Sequence, residues 1–149
     1  MKNLLALAVV ALGATLSSFT YMGGDSYTIS LNNKQIVKER VHGQVSVPTV
    51  SLDKAIATDE YQIFYSECGQ IGKTRSLSIR DEKNKTLKEF KFTDVTGGEH
   101  TPMALKAGDL TALQQKGSGK LKLIYVSATH EDGQLLAYLV FKSNNTAAR

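Results

Sequence analysis

The sequence contains one cysteine, Cys68, two prolines and no tryptophan. A single cysteine cannot pair within the chain, so a disulfide-stapled fold is excluded and an apolar core must hold the structure unaided. No C-x-x-C motif or family-specific cysteine signature is present to support catalysis through Cys68. No run of five or six like charges appears either.

The charge balance gives no reason to expect a nucleic-acid partner. The chain has 18 basic and 14 acidic residues, or 17 against 14 once Lys2 leaves with the leader described below. This excess is too small for a nucleic-acid-binding domain. The positive charges mostly alternate with apolar residues, which is typical of the solvated face of a β-sheet.

The N-terminal residues have the layout of a signal peptide. Lys2 precedes an uncharged apolar run, Leu4–Leu16, and small hydroxylated residues follow it. The run is shorter than the ~20 residues that a membrane-spanning helix needs, so no stable membrane insertion is expected after the leader is removed. We predict cleavage between Ser17 and Gly24, with 1–23 as the approximate leader. The mature protein is then expected in the periplasm or outside the cell of a bacterium; a buried N-terminal helix is the alternative.

The remaining chain is predicted to form one domain over 24–143, followed by a polar tail at 144–149. Apolar and polar residues alternate with period two in seven or eight segments separated by short turns. One short helix is predicted near 109–116, where Leu110 and Leu113 have helical spacing. The pattern predicts an all-β, antiparallel two-sheet β-sandwich, immunoglobulin-like in outline, with a small β-barrel as the alternative.

Several local features refine this prediction. Asn32-Asn33 is expected to form a turn, because asparagine tolerates positive φ. Pro48 lies within a candidate strand at Val45–Leu52 and therefore predicts an edge or broken strand. Leu87 is out of phase with the phenylalanines that follow it, which requires a bulge or a later strand start. Three tyrosines that alternate with polar residues are assigned to the core: Tyr61, Tyr65 and Tyr125.

The segment YSECGQIGKT, residues 65–74, ends like a phosphate-binding loop. The Walker pattern requires a glycine five residues before Gly72, but Glu67 occupies that position and would repel phosphate. A strand pattern follows Thr74, so no helix N-terminus is offered to an anion. The segment is therefore interpreted as a strand end that enters a glycine-containing turn.

Cys68 has two interpretations. As a catalytic nucleophile it would need a lowered pKa and a base, for which His42, His100 and His130 are the candidates. None of these histidines is near Cys68 in the sequence. The favoured interpretation is a structural thiol buried in the core, because unpaired cysteine is among the most buried residue types.

A soft metal site is suggested by His100 and Met103, which lie three residues apart in EHTPM. Imidazole and thioether are ligands that exported copper proteins use. The alternative is a loop in which Met103 fills the edge of the core and His100 is solvated. No cofactor is indicated by the rest of the sequence.

These features favour an exported, non-catalytic β-sandwich that is a binding or structural module of the cell envelope, with an envelope protein or a glycan as its expected partner. Two alternatives from other classes remain open: periplasmic binding of a copper-type metal through His100 and Met103, and a cysteine-dependent enzyme that uses Cys68. The sequence does not specify the partner or the oligomeric state.

Overall fold

The computed structural model describes residues 23–44, 46–95, 101–114 and 119–141. The predicted leader, apart from Gly23, and the polar tail lie outside these ranges, as does His100. Within the described residues, no helix is long and apolar enough to cross a membrane.

Two β-sheets and one short helix make up the described part of the chain. The four-stranded sheet has the order β2-β1-β4-β7 and the five-stranded sheet the order β3-β9-β8-β5-β6. Within the described residues the sheets do not close on each other, so the sandwich prediction is confirmed and the barrel alternative is wrong. The elements are β1 Ser26–Leu31, β2 Lys34–Arg40, β3 Thr49–Ser51, β4 Glu60–Ser66, β5 Ser76–Arg80, β6 Thr86–Lys91, β7 Met103–Lys106, α1 Ala107–Gln114, β8 Lys120–Val126 and β9 Gln134–Val140.

The core lies between the sheets and is built from the alternating residues of their inner faces. Tyr27 and Ile29 of β1 are buried beside Tyr65 and Ile63 of β4, their antiparallel partners. Because side chains in a strand alternate between faces, the period-two pattern of the sequence maps directly onto this core. The other large strand residues of the core with under 2% exposure are Leu77, Ile79, Met103, Leu105, Leu121, Leu123, Tyr125 and Leu136.

The predicted turns and bulge are present. Asn32 and Asn33 both have positive φ, 48° and 65°, and join β1 to β2. This is the conformation that two-residue hairpin turns require. In the β5–β6 hairpin, Ile79 pairs with Lys88 and Arg80 with Thr86, so the register shifts across the intervening Leu87. Leu87 is the extra residue of the expected bulge and packs against the core.

Strand β3 differs from expectation in length and direction. It begins after Pro48, spans three residues and pairs with β9 in parallel, whereas all other strand pairings among the described residues are antiparallel. The Pro48 carbonyl accepts a hydrogen bond from the Tyr138 backbone N–H at 2.9 Å. β3 lies at the edge of its sheet, as the proline predicted.

Strand β7 was not predicted, and α1 begins two residues before its expected start at Asp109. β7 runs directly into α1, whose first N–H groups, those of Ala107 and Gly108, donate to the carbonyls of Asp59 and Ala57 at 2.9 and 3.1 Å. These backbone acceptors satisfy donors that a helix N-terminus otherwise leaves free. Leu110 and Leu113 are both buried, as their spacing predicted.

Candidate functional site

A polar cluster lies at one end of the sandwich, where β4 and β8 end and β1 begins. It contains two acidic side chains, one imidazole and the hydroxyl groups that surround them. We call it the carboxylate cluster, and its members are Asp25, Tyr65, Glu67, Tyr125, Ser127, Thr129 and His130.

Glu67 accepts hydrogen bonds from three hydroxyl groups of this cluster. Its Oε1 accepts hydrogen bonds from the Tyr125 hydroxyl at 2.9 Å and the Ser127 hydroxyl at 2.5 Å. Its Oε2 accepts one from the Thr129 hydroxyl at 2.5 Å. The backbone of Gly72 approaches so closely that a Cβ there would overlap both Glu67 and the Tyr125 hydroxyl. Glu67 therefore ties the end of β4 to the end of β8, which belongs to the other sheet.

The environment favours the charged form of Glu67. Burial raises the pKa of this carboxyl and is the largest single cause, but the hydrogen bonds from Ser127, Thr129 and Tyr125 and the charge of the neighbouring His130 together lower it more than burial raises it. The net pKa lies below the ordinary value for glutamate. At neutral pH Glu67 is an anion held by hydroxyl donors.

Asp25 joins the start of β1 to the same cluster. Its Oδ2 accepts a hydrogen bond from the Tyr65 hydroxyl at 2.8 Å and lies 2.8 Å from His130 Nε2. Its Oδ1 accepts the backbone N–H of Cys68 at 3.0 Å. The other ring nitrogen of His130, Nδ1, lies 3.5 Å from Glu67 Oε1, so the imidazole stands between the two carboxylates.

Stacked tyrosine rings in the core lie next to the cluster. Tyr65 lies against Tyr125 with ring centroids 4.0 Å apart and against Tyr27 with centroids 6.3 Å apart. The rings bridge the two sheets while their hydroxyls reach acceptors, which is the usual solution for buried tyrosine. The prediction that Tyr61, Tyr65 and Tyr125 are core residues is confirmed, since each is at most 2% exposed.

Cys68 is exposed, which corrects the expectation of a buried core thiol. The backbone groups of Glu67 and Gln70 bond to each other in both directions, at 2.7 and 2.9 Å. Cys68 and Gly69 form the tip of this turn, both with positive φ, 47° and 86°. The interpretation of this stretch as a strand end entering a turn is confirmed, and the turn geometry places the thiol on the surface.

Of the three candidate bases, the fold brings His130 near Cys68, but the thiol and the imidazole each contact the carboxylate of Asp25. The thiol lies 3.5 Å from Asp25 Oδ1, while His130 lies against the other oxygen of the same carboxylate. The hydrogen bond to Asp25, with smaller contributions from desolvation and from the charges of Asp25 and Glu67, raises the pKa of Cys68 above its ordinary value. A thiol that serves as a nucleophile needs the opposite shift.

The accessibility and protonation of Cys68 are testable together. We expect a maleimide to label the folded protein completely without denaturant, because the thiol is exposed. The midpoint of the rate against pH should lie above that of the urea-unfolded chain, because Asp25 favours the protonated thiol. Labelling that requires denaturant would place the thiol in the core, and a midpoint below the unfolded value would indicate an activated nucleophile. The Cys68→Ser variant, which has no cysteine, measures background labelling.

The residues proposed for a metal site do not form an open pair of ligands in the described chain. Met103 is 0% exposed, at the start of β7 in the core, and pairs with Ile63 of β4. Its predicted partner, His100, lies outside the described residues. Among the residues described, no group of three or more His, Cys, Asp or Glu side chains is arranged to hold a metal ion.

The segment that ends like a phosphate-binding loop, residues 65–74, is hydrogen-bonded within the protein. The backbone N–H of Thr74 donates to Asp94 Oδ1 at 2.6 Å, and strand β5, not a helix, follows at Ser76. The N–H group that a phosphate would need is therefore already bonded to a carboxylate.

An open groove lies beside the carboxylate cluster, at the corner formed by β1 and β2. It consists of two adjoining depressions that share Ser26, Arg40 and His42. We call it the Arg40 groove. Its further lining includes Gly23, Gly24, Asp25, Tyr27, Thr28, Lys38, Glu39, Val41, Gly43, Gln44, Ser46, Ser66, Cys68 and Gly69.

Comparison with known proteins leaves the fold and these sites as the basis for a functional assignment. No protein-family model matches the chain, and neither the curated proteins nor the solved structures searched gave a match. The class that the fold defines is the all-β, two-sheet sandwich.

Proposed function

We propose that this chain is an exported, non-catalytic β-sandwich that binds a partner in the cell envelope. The supporting observation is the contrast between its two polar regions. In the carboxylate cluster, Asp25, Glu67 and His130 are bonded to one another or to neighbouring hydroxyls. In the Arg40 groove, Lys38 and Arg40 are exposed, and neither has an ion-pair partner among the residues described.

This contrast favours binding over chemistry. A general acid or base must reach the reacting atom of a substrate, whereas Glu67 already accepts three hydroxyl donors and its side chain is 14% exposed. Its contacts connect the two sheets, which is a structural task. Export is supported by the leader pattern at the N-terminus, with Lys2 ahead of the apolar run Leu4–Leu16.

The two alternatives have less support. Enzymatic use of Cys68 would have to overcome the raised pKa of its thiol. Metal binding through Met103 would require its side chain to leave a fully buried position in the core. The groove needs no such rearrangement to accept a partner.

Sedimentation with cell-envelope material tests the proposal. The protein, produced from its full sequence, is mixed with insoluble envelope from a bacterial source and centrifuged. We expect wild type and Glu131→Ala to sediment equally and saturably, because Glu131 is exposed and lies outside the groove lining. Absence of saturable sedimentation would overturn the proposal, as would turnover of a substrate that a single substitution in the carboxylate cluster abolishes.

A further inference from the structure

We infer that the outer face of the four-stranded sheet, at the Arg40 groove, binds an acidic polysaccharide. This inference rests on the proposed binding function and names the class of its partner. It is carried by the register of three strands, the unpaired cations they display and the polar character of the surrounding surface.

Strand register places two cations in rows with hydroxyl-bearing side chains. Arg40 of β2 pairs with Ser26 of β1, which pairs with Ser66 of β4. One step along, Lys38 pairs with Thr28. Directly paired residues project from the same face of a sheet, about 5 Å apart. The paired residues of these two rows alternate along their strands with the buried Tyr27, Ile29 and Tyr65. They therefore lie on the outer face of the sheet.

The cations dominate this end of the face. The four strands contain two acidic residues, Glu39 and Glu60. Glu39 pairs with Tyr27 and therefore projects from the other face. Glu60 lies at the far end of the sheet, opposite Lys106, where Gln62 donates a hydrogen bond to it at 3.1 Å.

Two acids line the groove, one in each depression. Glu39 lies in the depression that contains Lys38, but its position on β2 is paired with Tyr27 and not with the outer-face residues. The acid of the other depression is Asp25, which is already engaged. Its oxygens contact the Tyr65 hydroxyl, His130 and the backbone N–H of Cys68. A ligand in the groove therefore meets exposed Lys38 and Arg40, together with exposed His42, and an anionic group on the ligand complements them.

The surface between the charges favours a sugar over a protein partner. Protein interfaces usually have an apolar core. Here the outer positions of β1 are Ser26, Thr28 and Ser30, and the exposed large apolar residues of the described chain, Ile36 and Ile56, lie outside the groove lining. Serine and threonine hydroxyls match the donors and acceptors of a polysaccharide, and arginine matches a uronate carboxylate in bidentate geometry.

The test measures binding of polygalacturonate, a carboxylated polysaccharide, with neutral dextran as the comparison, both at 150 mM salt. We expect polygalacturonate to bind and dextran to bind more weakly. The double variant Lys38→Glu/Arg40→Glu should bind polygalacturonate at least about tenfold more weakly, because it loses two charge-assisted contacts. Lys83→Glu/Lys85→Glu is the matched control, since it reverses two exposed charges on the β5–β6 turn and should bind like wild type.

The outcomes separate this inference from the proposed function. Equal loss in both double variants would show that only net charge matters and would overturn the inference, as would equal binding of dextran or tighter binding of an acidic protein.

Lysine on an edge strand such as β2 also prevents sheet pairing, so the monomeric state and melting temperature of each variant are checked. If Lys38→Glu/Arg40→Glu does not fold, Lys38→Gln/Arg40→Gln replaces it. Sedimentation with envelope without polygalacturonate binding would contradict the inference and leave the proposed function standing.

Discussion

Replacing Glu67 with alanine is expected to lower the free energy of unfolding by about 3 kcal/mol, because the variant leaves buried hydroxyl donors without their acceptor. Tyr125 and Ser127 are 0% and 3% exposed, so water does not easily replace the carboxylate at either group. Thr129 is exposed and contributes less. Urea unfolding followed by circular dichroism measures the change.

A neighbouring glutamate provides the control for this prediction. Glu131 is exposed in the turn between β8 and β9 and accepts no hydrogen bond among the described residues, so Glu131→Ala should stay within about 0.5 kcal/mol of wild type. A loss below about 1 kcal/mol for Glu67→Ala would mean that the cluster does not stabilise the end of the sandwich.

Met103→Ala is expected to cost about 2 to 4 kcal/mol, because truncating a buried methionine leaves a cavity. Met103→Leu keeps a similar volume and should cost less than about 1.5 kcal/mol. The same urea titrations measure both variants, with and without added copper. If both variants match the stability of wild type but lose a copper-induced stabilisation, Met103 is a ligand and its assignment to the core is wrong.

Much of the fold could be predicted because alternation is a local signal. The hairpin turn at Asn32-Asn33, the bulge at Leu87 and the edge position of β3 each follow from the backbone preference of one or two residues. The parallel pairing of β3 with β9 could not be predicted, since it joins residues about ninety positions apart through backbone groups that every residue carries.

Strand β7 was missed for a different reason. Four residues, MALK, give two buried positions, Met103 and Leu105, which is too short a pattern to distinguish from the start of the helix that follows. Tertiary contact decides the outcome, because β4 supplies the hydrogen-bond partner for this segment.

The carboxylate cluster was missed although the sequence contains a signal for it. Asp25 lies two residues before Tyr27, Glu67 two residues after Tyr65, and Ser127 two residues after Tyr125. Each polar residue therefore continues the alternation of its strand on the inward-facing side. Three rows of inward-facing residues thus end in polar groups, which indicates a buried polar contact at the end of the sandwich. That these rows meet depends on strand order, which alternation does not reveal.

Cys68 shows how a composition rule fails at a turn. Unpaired cysteine is usually buried. Two successive residues with positive φ nevertheless place it at the tip of a turn. A cysteine in the sequence does not by itself predict a positive φ. The Gly69 beside it is the local signal, since glycine favours positive φ.

The central claim is that the carboxylate cluster stabilises the fold while the Arg40 groove binds the partner. Envelope sedimentation of Glu67→Gln, measured below its melting temperature beside Lys38→Glu/Arg40→Glu, tests this division most directly. We predict that Glu67→Gln melts at a lower temperature and binds envelope like wild type, whereas the charge-reversed variant keeps its melting temperature and loses binding. Loss of binding by folded Glu67→Gln, with binding retained by the charge-reversed variant, would contradict the account and make the cluster the functional site.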